Sequence, residues 1–354
     1  MADRLRADGH EVLFVGTPNG PEARLAREAG LVFHPMPARG FDRSKPLSLL
    51  RAIGQLSASA LRTWFLLGRL RPHVVAGFGG YVSLPVGAAA FARRIPLVLH
   101  EQNSVPGMAN RVLSRWACAV GVTYEDSAKR LRPGTRVELT GNPVRESILR
   151  AERARGRDLL DLPADAVVML VFGGSRGARH INEAVVGLRG RLLADESVHV
   201  LHLTGRDEAA AVSEQLVRAG GDDDGRYRVI DYLEDMGSAI AAADLVLARA
   251  GATSIAEITA IGRAAVLVPY PYATEDHQTL NARDVERGGG AILVTDDELE
   301  SERFADAVVS LLSDIEHRER MAEASRRLGI RDAAERLERL VLECAGKMDD
   351  GDDA

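Results

Sequence analysis

Asp244-Leu-Val-Leu-Ala248, followed at once by Arg249-Ala-Gly-Ala-Thr-Ser-Ile-Ala-Glu257, is the stretch that sets the fold class. The apolar run reads as a short buried strand and Gly251 as a turn. Ser254-Ile-Ala-Glu257 has the S-x-x-E spacing of a helix capping box. A strand that stops at glycine and opens a helix leaves unpaired backbone N–H groups aimed at one spot, which attracts an anion. Glu257 would repel a phosphate there. It suits sugar hydroxyls, which donate to both carboxylate oxygens. A plain helix cap is the competing reading of Glu257.

Outward from this element, the same strand–glycine–helix unit recurs. Val167-Val-Met-Leu-Val-Phe172 reads as a strand, Gly173-Gly-Ser-Arg-Gly177 as a glycine turn, and Ala178 to Leu188 as a helix. Strands follow at Val198-His-Val-Leu-His-Leu203, Tyr227-Arg-Val-Ile230 and Ala265-Val-Leu-Val-Pro269. Toward the N-terminus, strands read at His10–Gly16, Leu31–Pro35, Pro72–Ala76, Pro96–Asn103, Ala119–Thr123 and Val137–Thr140. Ser83 is placed to cap the helix that runs through Pro85 to Ala92. Leucines, Trp64 and Phe65 recur over 47–72 with arginines between them, the pattern of a long helix. The Arg/Asp-rich stretch 150–161 reads as a connection between domains. Strands alternating with helices imply parallel sheets, so the expected architecture is α/β, with two Rossmann-like domains facing across a cleft. Residues 1–9 read as the tail of a helix, a start that looks cut.

Composition narrows the partners. The 354 residues are 46% hydrophobic and 27% charged, ordinary for a globular chain of two domains. The net charge of −6 divides unevenly: residues 1–150 hold 21 Lys+Arg against 11 Asp+Glu, and residues 151–354 hold 24 against 40. A basic front half points to an anionic partner, a phosphate or a membrane surface. Nucleic acid is disfavoured, since aromatic residues make up only 5% of the chain and do not interleave with the basic ones. Two cysteines, Cys118 and Cys344, lie far apart outside any C-x-x-C spacing, so neither a disulfide nor a zinc site is expected. The expectation is no metal and no cofactor. Gly77–Ser83 lacks the G-x-G-x-x-G pattern, so a dinucleotide is not indicated.

Six motifs occur in order: Gly77-Phe-Gly-Gly-Tyr-Val-Ser-Leu-Pro85, His100-Glu-Gln-Asn103, Gly141-Asn-Pro-Val-Arg145, Gly173-Gly-Ser-Arg-Gly-Ala178, Arg249 to Glu257, and Asp276-His-Gln-Thr-Leu-Asn-Ala282. Together they resemble the MurG family, peptidoglycan N-acetylglucosaminyltransferases that convert lipid I to lipid II, over nearly the whole chain. The resemblance implies a GT-B fold. Its domains would be an acceptor- and membrane-facing one at 1–145, a UDP-sugar-binding one at 146–326, and a returning C-terminal helix at 327–346, with 347–354 as a disordered tail. It implies that Glu257 binds ribose hydroxyls, Gln278 sugar hydroxyls, Ser175 the diphosphate, and the backbone of Leu233 the uracil. Ala252, Thr253 and Ser254 would complete the sugar-donor site, with Asn103 and Arg145 lining the cleft. Gly77, Gly79, Gly80, Tyr81 and Ser83 would form the acceptor loop. The implied partners are UDP-N-acetylglucosamine, the undecaprenyl-diphosphate-linked muramyl-pentapeptide (lipid I), and the anionic inner-membrane surface, which places the protein peripherally on the cytoplasmic face of the cell membrane. From the residues themselves, 61–71 has two readings: a core-packed helix of the α/β layer, or a partly exposed Trp64-Phe-Leu-Leu67 flanked by arginines that dips into that surface.

One departure stands out. The family's first glycine-rich loop, G-G-T-G-G-H, with its histidine, has no counterpart here, and the expectation is that the natural start lies some twenty residues upstream of Met1. His100 is then the candidate proton carrier. Two rival readings stay open: an isomerase like the UDP-N-acetylglucosamine 2-epimerases, and a UDP-sugar-binding protein without turnover.

Overall fold

The structure, a computed structural model, describes residues 1–36, 46–174, 178–221 and 225–346, the side chains of Pro21 and of residues 46–57 excepted. The chain forms two compact units, Met1–Pro143 with Asp332–Ala354, and Val144–Arg331. The first unit therefore ends two residues before the boundary read from the sequence, and the chain returns to it five residues later than read.

In the second unit the strands are β7 (Val167–Phe172), β8 (Val198–Leu203), β9 (Tyr227–Ile230), β10 (Leu245–Arg249), β11 (Ala264–Val268) and β12 (Ala291–Leu293). They form one parallel sheet in the order β12-β11-β10-β7-β8-β9. The near-continuous apolar runs are what a sheet covered on both faces requires. Side chains alternate across it: Val168, Leu170 and Phe172 enter one core with Val246 and Ala248, while Met169 and Val171 enter the other with Leu245 and Leu247. Helices supply both covers. These are α6 (Glu146–Leu149), α7 (Arg153–Leu159), α8 (Arg179–Gly187), α9 (Arg189–Leu192), α10 (Ala209–Arg218), α11 (Met236–Ala242), α12 (Ala252–Ile261), α13 (His277–Arg287), α14 (Glu302–Ser313) and α15 (Ile315–Leu328).

Stretch 150–161 is not a connection. It contains α7, which packs on α11 so closely that a Cβ at Gly156 would lie 2.4 Å from the Ser238 carbonyl oxygen. Arg157 is buried, yet its guanidinium donates to the Pro163 and Ala166 carbonyls at 3.1 and 2.8 Å and to Asp244 at 2.9 Å. A charge so fully hydrogen-bonded can be buried.

The first unit holds α1 (Ala2–Ala7), β1 (Leu13–Gly16), α2 (Pro21–Glu28), β2 (Val32–Pro35), α3 (Pro46–Leu70), β3 (Val75–Gly77), α4 (Gly80–Ala92), β4 (Leu97–Glu101), α5 (Met108–Leu113), β5 (Ala119–Val122) and β6 (Val137–Leu139). Its strands form a parallel sheet β3-β4-β5-β6 and a separate parallel pair β1-β2, where the sequence suggested one sheet. The last helix, α16 (Ala333–Gly346), covers one face of the larger sheet through Leu340, Val341 and Cys344 against Val98 and Ala119. Cys344 forms a disulfide with Cys118, their Cα atoms 6.2 Å apart. This corrects the expectation of unpaired cysteines: the partners are 226 residues apart in sequence, and only the return of α16 brings them together. No helix among the described residues is long and apolar enough to cross a membrane.

Candidate functional site

Ligands of open parallel sheets bind outside the carboxyl ends of the strands, where the chain reverses its direction of winding. In the second unit that point lies between β7 and β10: from β7 the chain proceeds outward to β8 and β9, then crosses back to β10, β11 and β12. The turns after these strands carry most of the residues singled out by sequence.

After β10, α12 starts at Ala252 with Gly251 as N-cap and no side-chain cap. The helix thus begins two residues before the expected Ser254 cap, and the capping box is not formed. Thr253 is exposed and Ser254 half-buried in the first turn, beside backbone N–H groups that the helix leaves unpaired. Glu257 lies inside the helix and is only 7% exposed. Arg145, the N-cap of α6, approaches it at 3.4 Å and is its partner among the described residues. Burial pushes the Glu257 carboxyl above its usual range, and the Arg145 guanidinium opposes that rise. A shielded carboxylate with one long ion pair has oxygens to spare for hydroxyl donors.

After β11, the Gln278 side-chain oxygen accepts the Tyr270 backbone N–H at 2.9 Å. Its amide group is left to donate elsewhere. Tyr270 and Tyr272 beside it are exposed and meet edge to face with centroids 5.6 Å apart. After β9, Leu233 packs its side chain against the core, which leaves its backbone at the strand's carboxyl end. Asp235 caps α11, accepting from the Ser238 backbone N–H at 3.0 Å and its hydroxyl at 2.6 Å. After β7, Gly173 admits no side chain, since a Cβ would fall 2.2 Å from that of Ala178. Ser175 lies outside the described residues.

The first unit has its own cluster at the carboxyl ends of β3 and β4. Gly79 and Gly80 have φ of +81° and +76°, the left-handed region where a side chain is strained. They turn β3 directly into α4. Helix α4 therefore opens at Gly80, and Ser83, inside it, donates to the Gly79 carbonyl at 2.5 Å instead of capping an N-terminus. Gly77 is buried at the end of β3, while Tyr81 stands exposed in the first turn of α4. His100 is buried on β4, with Nε2 2.9 Å from the Gly141 carbonyl and Nδ1 sealed from solvent. Burial lowers its pKa, against the opposing pull of Gly141 and Glu101. A neutral imidazole donating to a backbone carbonyl braces the turn at Gly141 through Nε2, while Nδ1 is buried without a hydrogen-bond partner among the described residues.

Nothing in the sequence around Glu101 marks a task for it beyond its place in the His100–Asn103 motif. The structure makes it the organiser of the turn after β4. Its carboxylate accepts the backbone N–H groups of Asn103 and Gly107 at 3.0 and 2.9 Å, and the Asn110 amide at 2.8 Å. Asn103 is held in that turn, its carbonyl also accepting the Ser127 hydroxyl at 2.8 Å.

Comparison with known proteins places this geometry. The glycosyltransferase family 28 N-terminal domain matches residues 1–122, and the C-terminal domain of the same family matches residues 168–337. A relative from Halothermothrix orenii is 37% identical over 333 residues, covering 93% of this chain and 90% of its own. Its name is UDP-N-acetylglucosamine–N-acetylmuramyl-(pentapeptide) pyrophosphoryl-undecaprenol N-acetylglucosamine transferase. The chain belongs to the MurG family. The crystal structure of MurG from Acinetobacter baumannii superposes with a TM-score of 0.76 at 27% identity, covering 97% of this chain and 94% of that one. As a member of the MurG family the protein is a hexosyltransferase with the GT-B fold. A putative UDP-N-acetylglucosamine 2-epimerase from Listeria monocytogenes, at 16% identity and a TM-score of 0.63, shares the fold alone.

Proposed function

We propose that the protein transfers N-acetylglucosamine from UDP-N-acetylglucosamine to the muramyl 4-hydroxyl of lipid I, with inversion at the anomeric carbon, giving lipid II. Glu257 carries the reading. A buried carboxylate one turn inside a helix that opens at a sheet's carboxyl edge fits a ribose diol and is wrong for a bare phosphate. The backbone N–H groups opening α12 and the exposed Arg145 guanidinium take the developing charge on the departing diphosphate. The Gln278 amide meets the sugar hydroxyls, and the backbone at Leu233 meets the uracil. Asn103, held by Glu101, and the exposed Tyr81 serve the acceptor.

The same reading puts the first unit on an anionic membrane. Along α3, Leu61 and Phe65 are exposed by 58% and 62%, and Trp64 by 38%. The Arg93 guanidinium lies 3.9 Å over the Trp64 ring, so cation and aromatic form one amphipathic patch. This supports peripheral attachment to an anionic membrane surface; the cytoplasmic face is where the UDP-sugar donor of the proposed reaction is found.

Product analysis separates transferase from isomerase. Incubated with UDP-N-acetylglucosamine and no lipid acceptor, the protein should leave the sugar unchanged. Appearance of UDP-N-acetylmannosamine would favour the epimerase reading.

A further inference from the structure

Three charged side chains at the carboxyl edge of the second unit's sheet have no part in the contacts described so far. His180 is the second residue of α8, the helix that follows β7. Arg249 is the last residue of β10, the neighbour of β7 in the sheet. Asp296 comes from the turn after β12, on the far side of β11. It reaches both of the others. One carboxylate oxygen lies 2.8 Å from His180 Nδ1, and the other 2.5 Å from Arg249 Nη1. The same Arg249 nitrogen donates to the Pro269 carbonyl, just past β11, at 3.0 Å.

The group is shielded as well as connected. Arg249 is 12% exposed and Asp296 17%, so bulk salt screens their attraction far less than that of a surface pair. Removing the shared carboxylate would leave Arg249 with its charge uncompensated in a partly dry site. It would also remove the polar link between the start of α8 and the end of β10, leaving them joined by the apolar packing of Ile181 and Val185 with Leu245 and Leu247. These two elements border the point where the sheet's winding reverses, which is where a ligand's diphosphate would sit.

We propose that Asp296 is a positioning residue for the sugar donor, tying α8 to the end of β10 through His180 and Arg249. The inference rests on the sugar-donor site argued above. Asp296 touches no substrate in this scheme: it acts by holding two site-bearing elements in register, so that binding spends less on ordering them.

His180 gives the tie a pH dependence. The groups facing it are Asp296, Glu300 with an oxygen 3.7 Å from Nε2, and Glu183 on its own helix, with Arg249 beyond Asp296. The hydrogen bond to Asp296 raises the His180 pKa, against a smaller opposing effect of burial. The imidazolium form is thus favoured in the fold. The tie is at full strength below the raised pKa and loses its charge as pH rises through it.

Calorimetric titration with UDP-N-acetylglucosamine at pH 6.0 and 8.0, on wild type, Asp296→Asn and His180→Gln, tests the proposal. The ligand's diphosphate is a diester and does not titrate in this window. Wild type should bind more tightly at pH 6.0 than at 8.0. Asp296→Asn should bind about tenfold more weakly at pH 6.0, and both variants should lose the pH slope. His180 is only half-buried, and glutamine keeps its length and polarity, so His180→Gln decides the slope even where Asp296→Asn is poorly folded. Binding by both variants within twofold of wild type, with the wild-type slope retained, would overturn the proposal. Failure of wild type itself to bind would overturn the sugar-donor reading, and this proposal with it.

Discussion

Replacing Glu257 with alanine should separate stability from ligand binding. The side chain is 7% exposed and lies inside α12. Its pairing with Arg145 spans 3.4 Å, and the arginine side chain is 63% exposed. Such a pair is worth about 0–1 kcal/mol at most. Against that, burial raises the Glu257 pKa, so keeping it ionised at neutral pH is itself a cost to the fold. Alanine also favours the helix interior. The lost pair and the small void left by truncation oppose the relieved burial cost and the better helix former, so the melting temperature should stay close to wild type. Binding should not: hydrogen bonds to a charged acceptor contribute roughly 1.5–3 kcal/mol each. With water taking over part of the hydrogen bonding, the net loss should be the worth of about one such bond, roughly 1.5–3 kcal/mol, a factor between about 10 and 150 in UDP affinity. Glu257→Gln, which keeps one acceptor oxygen, should fall between the two. The raised pKa adds a direction on the acid side of the His180 titration: once His180 is fully charged, wild-type affinity should drop as further acidification protonates Glu257. Calorimetry with UDP, beside thermal unfolding of each variant, supplies both quantities. Wild-type affinity in a folded Glu257→Ala protein would refute the reasoning and reduce this carboxylate to a packing residue.

Three further outcomes are expected. Trp64→Ser/Phe65→Ser should lower sedimentation with anionic vesicles, Arg62, Arg69 and Arg71 each contributing about 1 kcal/mol near such a surface; equal binding to neutral and anionic vesicles would remove the electrostatic part. Non-reducing mass spectrometry should find the Cys118–Cys344 bond, and reduction should cost the first unit about 2–4 kcal/mol, read as a lower melting temperature; a thiol-only protein of unchanged stability would contradict the pairing. In the second unit His202, fully buried between Tyr227 and Asn182 at 2.9 and 3.0 Å, has its pKa pushed down to about 3 by desolvation. The unfolded chain takes up this proton near pH 6.5 and the native one does not, so stability should fall by about 1.4 kcal/mol per unit as pH drops from there toward 3, with a shallower slope for His202→Gln.

Local signals carried much of the architecture. The apolar runs at Val167–Phe172 and Leu245–Ala248, each stopped by glycine, mark the two central strands, because a strand covered on both faces has no polar alternation to hide it. The same signals mislead where a local rule meets a tertiary contact. Ser254-x-x-Glu257 has the spacing of a cap, but Gly251 supplies the helix start and Glu257 is recruited to the buried side of α12. The stretch 150–161 looks like a linker because its arginines are counted as exposed; Arg157 is instead enclosed by carbonyls that only the folded chain brings around it. No sequence pattern connects His180, Arg249 and Asp296, since the histidine and aspartate lie 116 residues apart. Glu101 sat within a recognised motif, yet its importance depends on Gly107 and Asn110, which the turn folds back toward it.

The most direct measurement of the central claim is transfer of labelled N-acetylglucosamine from its UDP ester to lipid I, with the lipid product resolved by mass and the anomeric linkage by NMR. The account predicts a label-bearing lipid II with inverted, β-configured linkage, formed only when both substrates are present and reduced in the Glu257→Ala protein. UDP-N-acetylglucosamine bound with wild-type thermodynamics, yet no label passing to lipid I at any enzyme concentration, would contradict it.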